Sequence, residues 1–273
     1  MPRLMISSLL TLLAAYLLLL VGIYFYQPHL LFLPEIPSRQ LERTPQAIGL
    51  AYEDVRLTAS DGTELHGWWL AHPEPAGNVL FFHGNAGNIS HRLHTLRLFH
   101  ELGYQSLIID YRGYGKSGGK PSEAGLYADA EAAWRYLRET RRLQPGEIVI
   151  SGRSLGAAVA LYLAHRHPPR ALILESPFTS LPDLAAAHYR WLPARWLTRY
   201  AFDNRQRIPQ LDAPLLIVHS EEDEITPAQQ ARTLYALAPE PKQQLVLQGG
   251  HNDARLGDEQ TYTDGLRAFL ARH

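Results

Sequence analysis

The sequence predicts an α/β domain: a mostly parallel twisted sheet with helices on both faces, a short cap insertion, and a transmembrane helix ahead of it. Three observations carry this expectation. From about residue 51 onward, short apolar runs of strand length alternate with helical stretches, the pattern of a sheet covered on both sides. Leu4–Tyr26 contains no charged residue. Between Pro177 and Ile208 an aromatic- and arginine-bearing stretch interrupts the alternation. The 273 residues, 46% hydrophobic and 19% charged, can bury a large core and exclude a disordered chain. Lys plus Arg (26) balance Asp plus Glu (27), so no general field favours nucleic acid. Cysteine is absent, which excludes disulfides, thiolate catalysis and cysteine-based zinc sites.

The charge-free run would span ~35 Å as a helix, enough for a bilayer core. No small-x-small cleavage signal follows it. Tyr24, Phe25 and Tyr26 suit a membrane interface instead, so residues 1–27 read as an uncleaved single-pass anchor. Arg3 precedes the run, while Arg39 and Arg43 follow it beside Glu35 and Glu42. These flanks barely differ in charge, and the orientation adopted puts the catalytic domain on the outer, periplasmic side. Residues 28–50, with Pro28, Pro34, Pro37 and Pro45 and no helical period, read as a juxtamembrane linker.

Residues 51–273 are expected to form one domain. Tyr52–Leu57, the turn Asp61-Gly62 and Leu65–Leu70 predict an antiparallel hairpin. Strands are then expected at Asn78–Phe82, Ser106–Ile109, Glu147–Ile150, Ala171–Leu174, Pro214–Val218 and Gln243–Leu247. Helices are expected at His91–Leu102, Ala124–Arg138, Leu155–His165, Ala228–Leu237 and near Thr261–Ala271.

The strand ending at Ile150 runs into Ser151-Gly152-Arg153-Ser154-Leu155-Gly156, a Gly-x-Ser-x-Gly turn between strand and helix. Such a turn holds a serine in a strained conformation, and its glycines remove side chains that would clash. Ser154 is therefore the candidate nucleophile. A serine hydroxyl needs a base, and the base needs an orienting carboxylate, in the chain order Ser, acid, His. The acid is expected after the strand ending at Val218, where Glu221, Glu222, Asp223 and Glu224 compete and position alone does not choose. Asp223 is preferred because Ile225 and Pro227 would pin the loop behind it. His251, in Gly249-Gly250-His251-Asn252-Asp253, follows the last strand and is the candidate base. His219 is the rival, read as a packed strand-end residue. His91 with His94, and His165 with His167, lack a third ligand and read as solvated helix positions; no metal is implied. Two oxyanion donors are expected: the Leu155 amide after the nucleophile, and the Asn85 amide in the loop His83-Gly84-Asn85-Ala86-Gly87-Asn88. His83 is read as bracing that loop.

Together these residues resemble the α/β-hydrolase superfamily and, more narrowly, its membrane-anchored serine hydrolases of the bud-emergence type, relatives of the animal depalmitoylases. The resemblance rests on the N-terminal anchor, His83–Asn88, Asp110-Tyr111-Arg112-Gly113-Tyr114-Gly115-Lys116-Ser117, Gly152–Gly156, Glu175-Ser176-Pro177-Phe178, Glu222-Asp223-Glu224 and Gly250–Asp253. It implies an α/β-hydrolase fold with nucleophile Ser154, acid Asp223 and base His251, and so chooses among the four acidic residues. The animal depalmitoylases carry an N-terminal cysteine cluster. This chain has none, so a transmembrane anchor would replace lipidation. The expected function is hydrolysis of carboxylic ester or thioester bonds through an acyl-enzyme, with a small or lipid-like acyl substrate and no cofactor. The alternatives are an aminopeptidase-like amide hydrolase and a catalytically silent binding module. Gly113-x-Gly115-x-x-Gly118 invites a nucleotide reading, but Gly118-Gly119-Lys120-Pro121 delays any helix that could meet a phosphate. Arg112 is expected to pair with a neighbouring carboxylate. For residues 179–207 two readings stay open: aromatics packed on the core, or an acyl-binding rim.

Overall fold

An eight-stranded sheet runs through the computed structural model, which describes residues 2–273; residue 1 of the expected anchor lies outside them. The strands are β1 (Glu53–Thr58), β2 (Glu64–Leu70), β3 (Gly77–Phe82), β4 (Tyr104–Ile109), β5 (Ile148–Arg153), β6 (Ala171–Glu175), β7 (Leu215–Ser220) and β8 (Lys242–Leu247). They lie in the order β1-β2-β4-β3-β5-β6-β7-β8. β2 pairs antiparallel with β1 and β4, and the remaining pairings are parallel. The hairpin turns at Gly62, whose φ of 83° suits glycine. The fold is the expected α/β-hydrolase arrangement.

The helices are α1 (Pro2–Leu31), α2 (Leu93–Glu101), α3 (Glu123–Arg135), α4 (Leu155–Arg166), α5 (Leu181–His188), α6 (Ala194–Leu197), α7 (Asn204–Arg207), α8 (Ala228–Leu237), α9 (Ala254–Gly257) and α10 (Glu259–Leu270). Strand alternation sorts the core into two layers. Leu80 and Phe82 of β3 face α3 and α4, in a cluster with Leu126, Ala133 and Leu161. Val79 and Phe81 face the opposite layer, with Leu96 and Phe99 of α2 and Leu266 and Phe269 of α10. α4 is the central helix, and Ala157–Leu161 are fully buried.

Several element ends differ from the sequence expectation by one to three residues. The helix expected to Arg138 stops at Arg135 and widens into a π turn over Tyr136–Thr140. β5 continues to Arg153 and β7 to Ser220 because their backbones keep pairing, Arg153 with Glu175 and Ser220 with Leu247, where the side chains cease to be apolar. Those extra residues deliver the candidate site to the C-terminal edge of the sheet.

α1 continues through Pro28 to Leu31, and Leu4–Leu31 is long and apolar enough to cross a membrane. The chain after it lies across the 83–90 loop. Leu33 pairs with Ala86, its N–H donates to the Asn85 carbonyl (2.9 Å), and the Gly87 N–H donates to the Leu33 carbonyl (3.1 Å). The Asn88 amide donates to the Ser38 and Gln40 carbonyls, and Arg39 donates to the carbonyls of Gly115 and Ser117.

The insertion after β6 folds as the short helices α5, α6 and α7. Its aromatics divide between the two readings: Phe202 is buried against Tyr127, whereas Tyr189, Trp191 and Trp196 are exposed.

Candidate active site

Ser154 sits at the turn between β5 and α4 with φ 54° and ψ −117°, a conformation that costs a non-glycine residue backbone strain. Its N–H is held by the Glu175 carbonyl at 2.8 Å. Two glycines make the turn possible. A Cβ on Gly152 would lie 2.2 Å from the Gly156 carbonyl oxygen, and one on Gly156 would lie 2.1 Å from that of Phe82. Close packing of α4 against β5 therefore requires glycine at 152, and its packing against the end of β3 requires glycine at 156. The same approach brings Gly84 beside the serine: a Cβ built there would be 3.8 Å from Ser154 Cβ. Among the described residues, the backbone N–H groups of Asn85 and Leu155 have no protein acceptor.

Asp223 and His251 meet in the loops after β7 and β8. The imidazole Nδ1 lies 2.9 Å from Asp223 Oδ1 and 2.8 Å from Oδ2. A carboxylate only accepts, so Nδ1 carries a proton, and in the neutral ring the lone pair is then on Nε2, the tautomer a general base requires. Asp223 Oδ1 also accepts the amides of Ile225 (3.0 Å) and Thr226 (2.6 Å). Burial pushes the Asp223 carboxyl up, but the His251 hydrogen bond and charge and these two amides outweigh it, leaving the pKa below the usual carboxylate value. Two of the competing acids are engaged otherwise. Glu224 Oε2 accepts the His251 N–H (2.9 Å), and Glu221 pairs with Arg232.

A further network ties the His251 loop to the Ser154 turn. Arg153, next to Ser154, pairs through Nε with Glu175 (2.8 Å) and donates through Nη2 to the His251 carbonyl and to Asn252 Oδ1. Tyr262 Oη donates to the other oxygen of Glu175 at 3.0 Å. The sequence reading gave these residues no role. The one available signal was Glu175 standing in a motif with no chemistry assigned to it.

The remaining candidates fall outside this cluster. His83 is fully buried; Nδ1 donates to the Gly84 carbonyl (2.7 Å), and burial, aided by the Arg92 and His91 charges, pushes its pKa down to about 3. It stays neutral and braces the loop. His219 is buried at the end of β7 near Glu221. His91 is not a solvated helix residue: its Nδ1 accepts the Asn88 N–H (3.1 Å) in a capping box, a backbone role that spacing could not show. His167 pairs with Glu131. Arg112 pairs with Asp61 and Asp129, as expected. The glycine-rich loop closes on itself, with Ser117 Oγ donating to the Asp110 carbonyl (2.7 Å).

A sheet of this order with a strained Ser154 between β5 and α4 defines a hydrolase class, and the chain belongs to the α/β-hydrolase family. Within it, the pattern described as serine aminopeptidase, S33, matches residues 73–206. The chain is 44% identical to an uncharacterized protein of Mycobacterium tuberculosis, over 81% of this chain and 79% of that one. It is also 36% identical to protein bem46 of Schizosaccharomyces pombe, over 96% of this chain and 91% of the relative. Among solved structures, the Pyrococcus furiosus esterase Pf2001 superposes with a TM-score of 0.73 at 22% identity, covering 85% of this chain and 94% of that one, a likeness of fold.

Proposed function

We propose that the chain is a membrane-anchored serine hydrolase that cleaves carboxylic ester or thioester bonds, with α1 as a single-pass anchor and residues 51–273 as the catalytic domain. The observation that carries this is the Asp223–His251 pair, both oxygens on Nδ1, at the sheet edge where the β5–α4 turn presents Ser154. In the reaction, Ser154 Oγ attacks the carbonyl carbon while His251 Nε2 takes its proton. The Asn85 and Leu155 amides receive the negative charge on the former carbonyl oxygen. The imidazolium, stabilised by Asp223, returns the proton to the leaving alcohol or thiol as the carbon–oxygen or carbon–sulfur bond breaks. Water, deprotonated by His251, then releases the acid from the acyl-enzyme.

A second reading, aminoacyl amide hydrolysis, draws on the serine aminopeptidase description of the matched pattern. A free α-ammonium needs an anionic partner, and among the described residues no carboxylate lines the cavity between α1 and the cap, which favours the ester reading. Ser154→Ala is expected to lower nitrophenyl butyrate turnover by ~10⁴-fold or more. Retained turnover overturns the proposal, and faster cleavage of aminoacyl nitroanilides than of esters would favour the second reading. The outer placement of the domain is tested by reporter fusions at both ends; a cytoplasmic C-terminus refutes it.

A further inference from the structure

We infer that the groove between the membrane helix and the cap is the acyl-chain site, filled sideways from the bilayer by the hydrocarbon tail of a lipid-like ester or thioester. This inference rests on the proposed serine hydrolase.

The groove encloses about 450 Å³, within the ~300–1,000 Å³ of small-molecule sites. One wall is α1 itself, through Ile23, Leu30 and Leu31; the other is the cap, through Leu184, Leu192 and Leu197. Of its polar side chains, Gln27 is already satisfied: it donates to the Leu197 carbonyl (2.9 Å) and accepts the Arg199 N–H (2.8 Å). That clamp joins cap and helix into one unit. A water-soluble substrate would need no wall drawn from the membrane segment.

Two observations fix where the groove leads. At its inner end, Ile225 gives its N–H to Asp223 Oδ1 (3.0 Å), and the Leu31 carbonyl accepts from the Asn85 side chain (3.0 Å). The lining therefore touches both the acid loop and the oxyanion loop. At the outer end, Tyr16 Oη donates to the Trp191 carbonyl (3.2 Å). Tyr16 stands fifteen residues before Leu31, ~22 Å along the helix. With α1 across a bilayer, this bond holds the cap tip beside apolar helix, at the depth of the lipid chains. On the cap, Trp196 is 92% exposed and Trp191 61% exposed, and the exposed Arg199 lies over the Tyr24 ring (5.1 Å), at the helix end where anionic headgroups would border the lipid chains.

The test uses the full chain in phosphatidylcholine vesicles. In the Ser154→Ala chain, a diazirine-bearing palmitoyl ester in the bilayer is expected to crosslink to residues 181–200 and to Ile23 or Leu30. Leu184→Trp, which fills the groove, should cut those adducts at least about fivefold. Adducts confined to outward residues of α1 such as Leu17 and Leu18, or unaffected by Leu184→Trp, overturn the inference. In the active chain, each methylene lodged in the groove is worth up to about fourfold in kcat/KM. Leu184→Trp should therefore lower the decanoate-to-butyrate ratio of kcat/KM at least about tenfold, with fluorophosphonate labelling of Ser154 reporting an intact fold. An unchanged ratio also overturns it. A wild-type chain that cleaves no ester would refute the hydrolase reading, while the crosslinks still judge the groove separately.

Discussion

Replacing Asp223 by Asn separates an orienting carboxylate from a merely structural one, because the loop dictates how the amide must lie. Asp223 Oδ1 accepts the N–H groups of Ile225 and Thr226, the latter at 2.6 Å. An asparagine must therefore put its oxygen there and its NH₂ at the Oδ2 position. That site is 2.8 Å from His251 Nδ1, and an NH₂ can only donate. The retained oxygen also lies 2.9 Å from Nδ1 but already accepts two amides, so the amide nitrogen favours the tautomer that accepts at Nδ1 and carries its proton on Nε2. Loss of the base in this way costs about 10⁴ in kcat, or ~5.4 kcal/mol of barrier. The assay is nitrophenyl butyrate hydrolysis by Asp223→Asn, with thermal unfolding as the check on folding. Glu224→Gln is the control, expected to retain most activity because Glu224 hydrogen-bonds to the His251 main chain and not to its ring. A loss below tenfold for Asp223→Asn, or an equal loss for Glu224→Gln, would refute the reasoning.

Other outcomes follow from the same geometry. Arg153→Met breaks the buried Arg153–Glu175 ion pair and is expected to cost up to ~3–5 kcal/mol in stability and to lower kcat. Adding Glu175→Gln should restore most of that stability but not the lowered kcat, since the His251 carbonyl still lacks its donor. Full recovery of kcat would count against a positioning role. His83 has a folded pKa of about 3 against an ordinary value of 6.5, so the unfolded chain binds the extra proton. Its contribution is full above pH 6.5 and falls by ~1.4 kcal/mol per unit as pH drops toward 3. Urea unfolding of the detergent-solubilised chain should accordingly show a shallower loss for His83→Asn, by ~2 kcal/mol between pH 6.5 and 5; identical curves would contradict this. Leu33→Pro removes the N–H that holds the Asn85 carbonyl and is expected to slow ester turnover roughly five- to tenfold. An unchanged kcat would show that the chain after α1 does not brace the oxyanion loop.

What the sequence disclosed follows from how local each feature is. The Ser154 turn is written in five consecutive residues, because its strain and its two close approaches involve neighbours along the chain and the end of β3. The alternation of strand and helix was equally legible, since burial on both faces leaves continuous apolar runs. The acid was not: four carboxylates stand in a row, and the imidazole that distinguishes Asp223 arrives from twenty-eight residues away. Arg153, Glu175 and Tyr262 are separated by 109 positions from first to last, and nothing in their local pattern announces a network. Residues 28–50 lack a helical period, yet α1 runs through Pro28 to Leu31 and a 3-10 turn forms over Pro45–Ile48, and their sequence says nothing of the loop they lie against. The insertion at 179–207 mixed two fates that composition cannot separate, because Phe202 finds Tyr127 in the core while Trp196 finds no cover.

The most direct trial of the account is covalent trapping. The full chain, incubated with a fluorophosphonate and mapped by peptide mass spectrometry, is expected to carry one adduct, on Ser154. It should form at least 10³-fold more slowly in the His251→Ala chain, on the ~10⁴ scale of losing a base. No adduct, or an adduct on Ser154 whose rate ignores His251, would contradict the claim that these two side chains act together.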